Sequence, residues 1–125
     1  MYRIKALLAI IFLSVIGYST PANADFEKGM EAYRLENYET AFAEFKLAAE
    51  KGDDRAFGKL GALYLYGRGT DKDYLKAYIW FGLAALSGDK YAPRYRDAAS
   101  SMLNSTQVYQ AEEEITTLSE KFNTQ

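Results

Sequence analysis

The chain has 125 residues and contains neither cysteine nor histidine. Without cysteine there is no disulfide, no thiolate nucleophile, no iron–sulfur cluster and no zinc–thiolate site. Without histidine there is no imidazole base, no imidazole metal ligand and no Ser–His–Asp triad. An excess of positive charge is also missing: 15 Lys and Arg stand against 17 Asp and Glu, a net charge of −2. That balance argues against nucleic acid, whose binding rests on clustered cations. What remains is 49% apolar, 15% aromatic and 26% charged residues. This is the composition of an ordinary globular chain, and the length fits one domain plus a targeting segment.

The first 24 residues read as that segment. Arg3 and Lys5 precede an apolar run from Ala6 to Ile16, followed by Pro21 and Ala22-Asn23-Ala24. A basic start, a short apolar middle and an A-x-A end describe a secretory signal peptide, here with cleavage between Ala24 and Asp25. The competing reading is an uncleaved anchor, since no charge lies between Ala6 and Ala24. Thr20, Pro21 and Asn23 weaken that alternative, because a span needs ~20 mainly apolar residues. Without a cysteine after the segment, a lipid anchor is excluded. The expected mature chain, 25–125, has 13 basic and 17 acidic residues, a net charge of −4. It would touch a membrane only in transit. Export without cysteine points to a bacterial periplasm, or secretion, rather than to a disulfide-stapled domain.

An internal repeat organises the rest. Tyr38–Ala56 and Tyr74–Ala92, offset by 36 residues, are identical at nine of 19 positions, among them Ala41/Ala77, Phe45/Phe81, Ala49/Ala85 and Gly52/Gly88. Phe42/Tyr78 adds an aromatic pair. A period in this range signals a solenoid. Within each copy the apolar residues step by three and four, the spacing of one helix face. Six helices are predicted, at about 26–36, 38–51, 54–66, 73–87, 90–102 and 105–122, leaving no room for a sheet. Gly52 and Gly88 sit where a helix must end with positive φ. Asp53, Asp54, Asp73 and Asp89 can cap the following helices, Asn104 with Gln107 forms a capping box, and Pro93 is tolerated in a first turn.

The second copy resembles the Sel1-like repeat family, a relative of the tetratricopeptide repeat. The residues that carry the likeness are Ala56, Leu60-Gly61, Tyr64, Gly67-Arg68-Gly69, Asp73, Lys76-Ala77, Trp80-Phe81, Ala84-Ala85 and Gly88. The first copy is closer to a plain tetratricopeptide unit and lacks the Gly-x-Gly loop, and Thr70 replaces the family's usual Val. The expected fold is all-α: a short α-α superhelix of about two and a half helix-turn-helix repeats plus a C-terminal capping helix. Trp80 and Phe81 are expected to pack between units. The resemblance implies a non-catalytic module that presents a concave face to a protein or peptide segment, without a cofactor or metal. Some relatives resemble immunity proteins, which suggests an envelope adaptor or inhibitor.

No motif rises to a catalytic site. Gly67-Arg68-Gly69-Thr70 lacks the Lys-Ser/Thr and preceding strand of a phosphate loop. Asp71 and Asp73 lack the Gly and closing Glu of a calcium loop. Glu112-Glu113-Glu114 reads as a solvated face. By carry-over from tetratricopeptide arrays, the groove would be lined by Met30, Tyr33 and Arg34, then Arg55, Gly58, Ala62, Leu65 and Tyr66, then Tyr91 and Arg94. Lys59 and Tyr95 would flank it. Tyr and Arg are the commonest interface hot spots. Two rivals stay open: a glycan or other small ligand stacked on the groove tyrosines, and an enzyme using carboxylate, Lys or Tyr chemistry.

Overall fold

The computed structural model describes residues 21–124, so the expected targeting segment, 1–24, lies outside them except for its last four residues. The described chain is six helices without a strand: α1 (Ala22–Arg34), α2 (Tyr38–Glu50), α3 (Arg55–Tyr66), α4 (Tyr74–Leu86), α5 (Ala92–Ser100) and α6 (Ser105–Asn123). All six expected helices are present. The main difference in bounds is α1, which begins four residues early, straight after an extended Pro21. Proline fixes φ and suits a helix start, and nothing in Ala22–Asp25 breaks the turn.

The caps follow the side chains. Asn37 and Asp73 accept from the backbone N–H groups of Thr40 and Lys76. Asn104 and Gln107 exchange both bonds of a capping box. Asp54 occupies a cap position without using its side chain. Asp53 Oδ1 instead accepts from Arg55 N–H, and Asp89 Oδ1 accepts from the N–H groups of Tyr91 and Ala92. Gly52, Gly67 and Gly88 end helices with positive φ.

Neighbouring helices pack in sequence, α1 on α2 through to α4 on α5, as in a helical solenoid. Their shared core is small residues interleaved with rings: Ala41, Ala48, Ala49, Ala56, Ala77 and Ala84 beside Phe45, Phe57, Tyr64 and Phe81. Small residues let helix backbones approach, and the rings fill the remaining space. The closest approaches fall on glycine. A methyl on Gly29 would stand 2.7 Å from the Phe45 ring, and one on Gly61 3.1 Å from the Phe81 ring.

The last helix folds back along α4 rather than pairing closely with α5. Its apolar stripe covers α4, and Ile115 presses so near Gly82 that an added methyl would meet it at 2.4 Å. Phe122 stacks on Phe57, which also meets Trp80. Trp80 is therefore half-buried at the join of α3, α4 and α6, not enclosed between units as expected. Glu112, Glu113 and Glu114 are all exposed, in keeping with a solvated face, and the Tyr78 hydroxyl also donates to the Glu112 carboxylate. Burial first, then that bond, pushes the Tyr78 phenol up to about 12.

Candidate binding groove

The first helices of the successive units, α1, α3 and α5, share one side of the molecule. Their exposed residues enclose a groove of about 310 Å³. Its base runs along α3, where Gly58 and Ala62 leave the backbone nearly bare. Ala92 of α5 and the edge of Phe81 complete the floor. Tyr33, Tyr66, Tyr91 and Tyr95 form the walls, with Arg55, Lys59 and Asp89 also lining it. On α3 the positions 55, 58, 59, 62 and 66 repeat at helical spacing, which is why one helix can supply so much of the surface.

Three of the four tyrosines are braced from behind. The Tyr33 ring meets Tyr38 edge-on at 5.4 Å, and Tyr95 stacks on Phe81 at 5.4 Å. The Arg68 guanidinium lies between Tyr38 and Tyr66, 5.3 and 5.6 Å from their centroids. Tyr91 projects furthest, at 75% exposure. Rings held in place before binding lose little freedom on contact, which favours affinity.

Arg55 is already engaged. Its guanidinium donates to Asp53 at 2.7 Å and to Asn23 at 2.8 Å, stands 3.8 Å from Glu27 and lies over the Phe26 ring. The bond to Asp53 holds its pKa above the ordinary value. Lys59 and Arg94 make no ion pair among the described residues.

Six of the nine residues expected to contact a partner line this groove: Tyr33, Arg55, Lys59, Tyr66, Tyr91 and Tyr95. Met30 instead packs against the core, and Arg34 pairs with Glu31 on the exposed end of α1. Arg94 is exposed on α5 but is not part of the lining. Leu65 is buried in the core, because one step along α3 from Tyr66 rotates the side chain away from the groove. Sequence reasoning missed Arg68 as the brace behind Tyr66 and Asp89 as a lining residue. The two lie in turns, where helical periodicity gives no direction.

The Gly-x-Gly loop supports this wall. Gly67 ends α3 at φ 64°, and Asp73 N–H returns to the Tyr64 carbonyl. Gly69 rests on the first turn of α2: a methyl there would stand 2.0 Å from the Tyr38 carbonyl oxygen.

Comparison with known proteins fits this architecture. A crystal structure of a protective antigen present in uropathogenic Escherichia coli strains, displaying an SLR fold, superposes with a TM-score of 0.73 at 27% identity. The fold is the Sel1-like repeat superhelix. That match covers 82% of this chain and 23% of the antigen. An uncharacterized Sel1-like repeat-containing protein of Schizosaccharomyces pombe is 48% identical over 44 residues, which is 35% of this chain and 7% of the yeast protein. This chain thus spans a small part of either Sel1-like relative. No protein-family profile matches it. Stacked helical repeats create extended concave surfaces of the kind that bind partners. Among the described residues, no helix is long and apolar enough to cross a membrane.

Proposed function

We propose that this Sel1-like repeat chain is an exported, non-catalytic module that holds a protein or peptide segment in the groove of α1, α3 and α5. The observation that carries the reading is the convergence of Tyr33, Tyr66, Tyr91 and Tyr95 over a floor of Gly58, Ala62 and Ala92. Binding would come from burying ring and backbone area, with cations at the rim. Export rests on the segment ending in Ala22-Asn23-Ala24. Cleavage there would leave Asp25 as the first residue. It would keep the 2.7 Å ion pair between Asp25 and Lys51 and remove the Asn23 contact to Arg55. An intact mass corresponding to 25–125 in the exported fraction is expected; the full mass in membranes would point to an anchor.

The binding test is capture from the native envelope by the parent and by variants. Tyr66→Ala and Tyr91→Ala should each leave melting nearly unchanged, within ~0.5 kcal/mol, as surface changes do. A hot spot among them should weaken partner binding roughly thirtyfold, about 2 kcal/mol. Glu113→Ala on α6 should bind as the parent does. The opposite pattern would move the interface to α6. A small ligand or glycan is the second reading, favoured by a ring-lined volume at the foot of the ~300–1,000 Å³ range of such clefts.

A further inference from the structure

We infer that the groove selects an acidic segment: an extended peptide that lays an aromatic side chain among the tyrosine rings and places carboxylates beside it. This rests on the groove being the binding surface and adds the charge class of its occupant.

The inference comes from which charges on this face are already neutralised. Arg55 in the lining is held by Asp53 and Glu27. Asp89, the one carboxylate in the lining, uses its Oδ1 in starting α5, while its Oδ2 stands 3.0 Å from where a methyl on Gly58 would lie. Its Oδ1 accepts from the N–H groups of Tyr91 and Ala92 at 2.9 and 3.2 Å. The positive end of a helix offsets such a charge. Lys59 lies halfway along the groove face of α3 and has no ion-pair or hydrogen-bond partner among the described residues. Arg94, exposed on α5 between Tyr91 and Tyr95, has none either.

Lys59 in the lining, Arg94 beside it and Arg68 behind Tyr66 are thus cations near the rings with no ion pair among the described residues, on a chain whose residues 25–125 carry 13 basic against 17 acidic side chains. An acidic segment is repelled by much of the surface and drawn to this face, which is electrostatic selection of a partner. The volume of about 310 Å³ sets the scale of what enters: a large side chain with its flanking backbone.

The test is fluorescence-anisotropy titration of protein expressed from the full chain. The probes are two labelled peptides, Glu-Phe-Glu-Tyr-Glu and Lys-Phe-Lys-Tyr-Lys. The acidic peptide should bind at least ~tenfold more tightly at low salt, and the gap should narrow as salt rises. Lys59→Glu combined with Arg94→Glu should reverse the preference, with an unchanged melt showing that the fold is intact. Tyr66→Ala should weaken the acidic peptide in either background. Equal affinities, a preference for the basic peptide, no binding of either, or a preference untouched by the double reversal would each overturn the proposal. A native partner still lost on Tyr66→Ala, beside any of those results, would sink only the charge class. A partner indifferent to Tyr66→Ala would sink the groove itself.

Discussion

In the first helix pair, Gly29 of α1 makes room for the Phe45 ring of α2; in the second, Gly61 of α3 does the same for Phe81 of α4. The same small-on-large contact thus fixes both pairs, yet they are closed differently. The first turns in three residues, Leu35-Glu36-Asn37, with Glu36 forced to φ 58°. The second uses the longer glycine loop that reaches back to α2. Among the described aromatic rings Phe45 meets that of Phe26, tilted, whereas Phe81 is stacked under Tyr95 and becomes groove floor. Phe42 makes an edge contact with Tyr64, whereas its counterpart Tyr78 adds a hydroxyl that ties α6 down. One pattern therefore builds the scaffold, and the second copy carries the additions that form the groove and the cap.

The largest effect should come from breaking the loop that only the second pair has. Gly69→Ala meets the Tyr38 carbonyl at 2.0 Å and leaves a side chain at φ 72°. Left-handed strain and overpacking together should cost about 3 kcal/mol or more. Urea unfolding would measure it; a loss below ~0.5 kcal/mol, the size of an ordinary surface change, would mean that the loop does not rest on α2.

Next comes the shared glycine. Gly29→Ala drives a methyl to 2.7 Å of a fully buried ring, and Gly61→Ala only to 3.1 Å. Overpacking at Gly29 should outweigh the ~1 kcal/mol that Ala gains over Gly in a helix, for a net loss of about 1–2 kcal/mol. At Gly61 the two effects should nearly cancel. Unfolding midpoints of the two variants, measured side by side, would test the order. An equal or larger loss at Gly61 would show that the Tyr95 stack holds Phe81 more rigidly than Phe26 holds Phe45.

The tie to α6 should appear in alkali. The unfolded Tyr78 phenol ionises near 10, the folded one at about 12, so the folded state retains the proton longer. Its contribution is complete below pH 10 and is lost as pH rises towards 12. Tyr78→Phe should cost about 1 kcal/mol at neutral pH and flatten the alkaline decline relative to the parent. Parallel declines for parent and variant would remove Tyr78 as the cause.

The smallest change is at the tight turn. Glu36→Gly relieves a positive φ that glycine adopts freely, but it adds entropy to the unfolded chain. A net gain of under ~1 kcal/mol is expected, making the first turn resemble those at Gly52 and Gly88. A fall in melting temperature would instead assign Glu36 a stabilising contact.

Most of the architecture was legible because it is periodic. The 36-residue repeat, the three-and-four spacing and the positions of Gly52, Gly67, Gly88, Asp73 and Asn104 set six helices and their ends. Each of these signals depends on residues a few positions apart. The groove tyrosines were legible to the same extent: Tyr66, Tyr91 and Tyr95 fall off the packing stripes, and all three are exposed.

What only the tertiary structure decided is everything that depends on neighbours distant in sequence. Trp80 lies in a strongly apolar helix, yet it is half-buried, because α6 covers that corner of α4 without closing it. The Tyr78 hydroxyl finds Glu112 34 residues away. Arg68 braces Tyr66 only because the glycine loop carries it back to Tyr38. Local spacing determines which face of a helix is apolar; the crossing of that face with another helix determines which polar atoms meet, and no short-range pattern encodes the crossing.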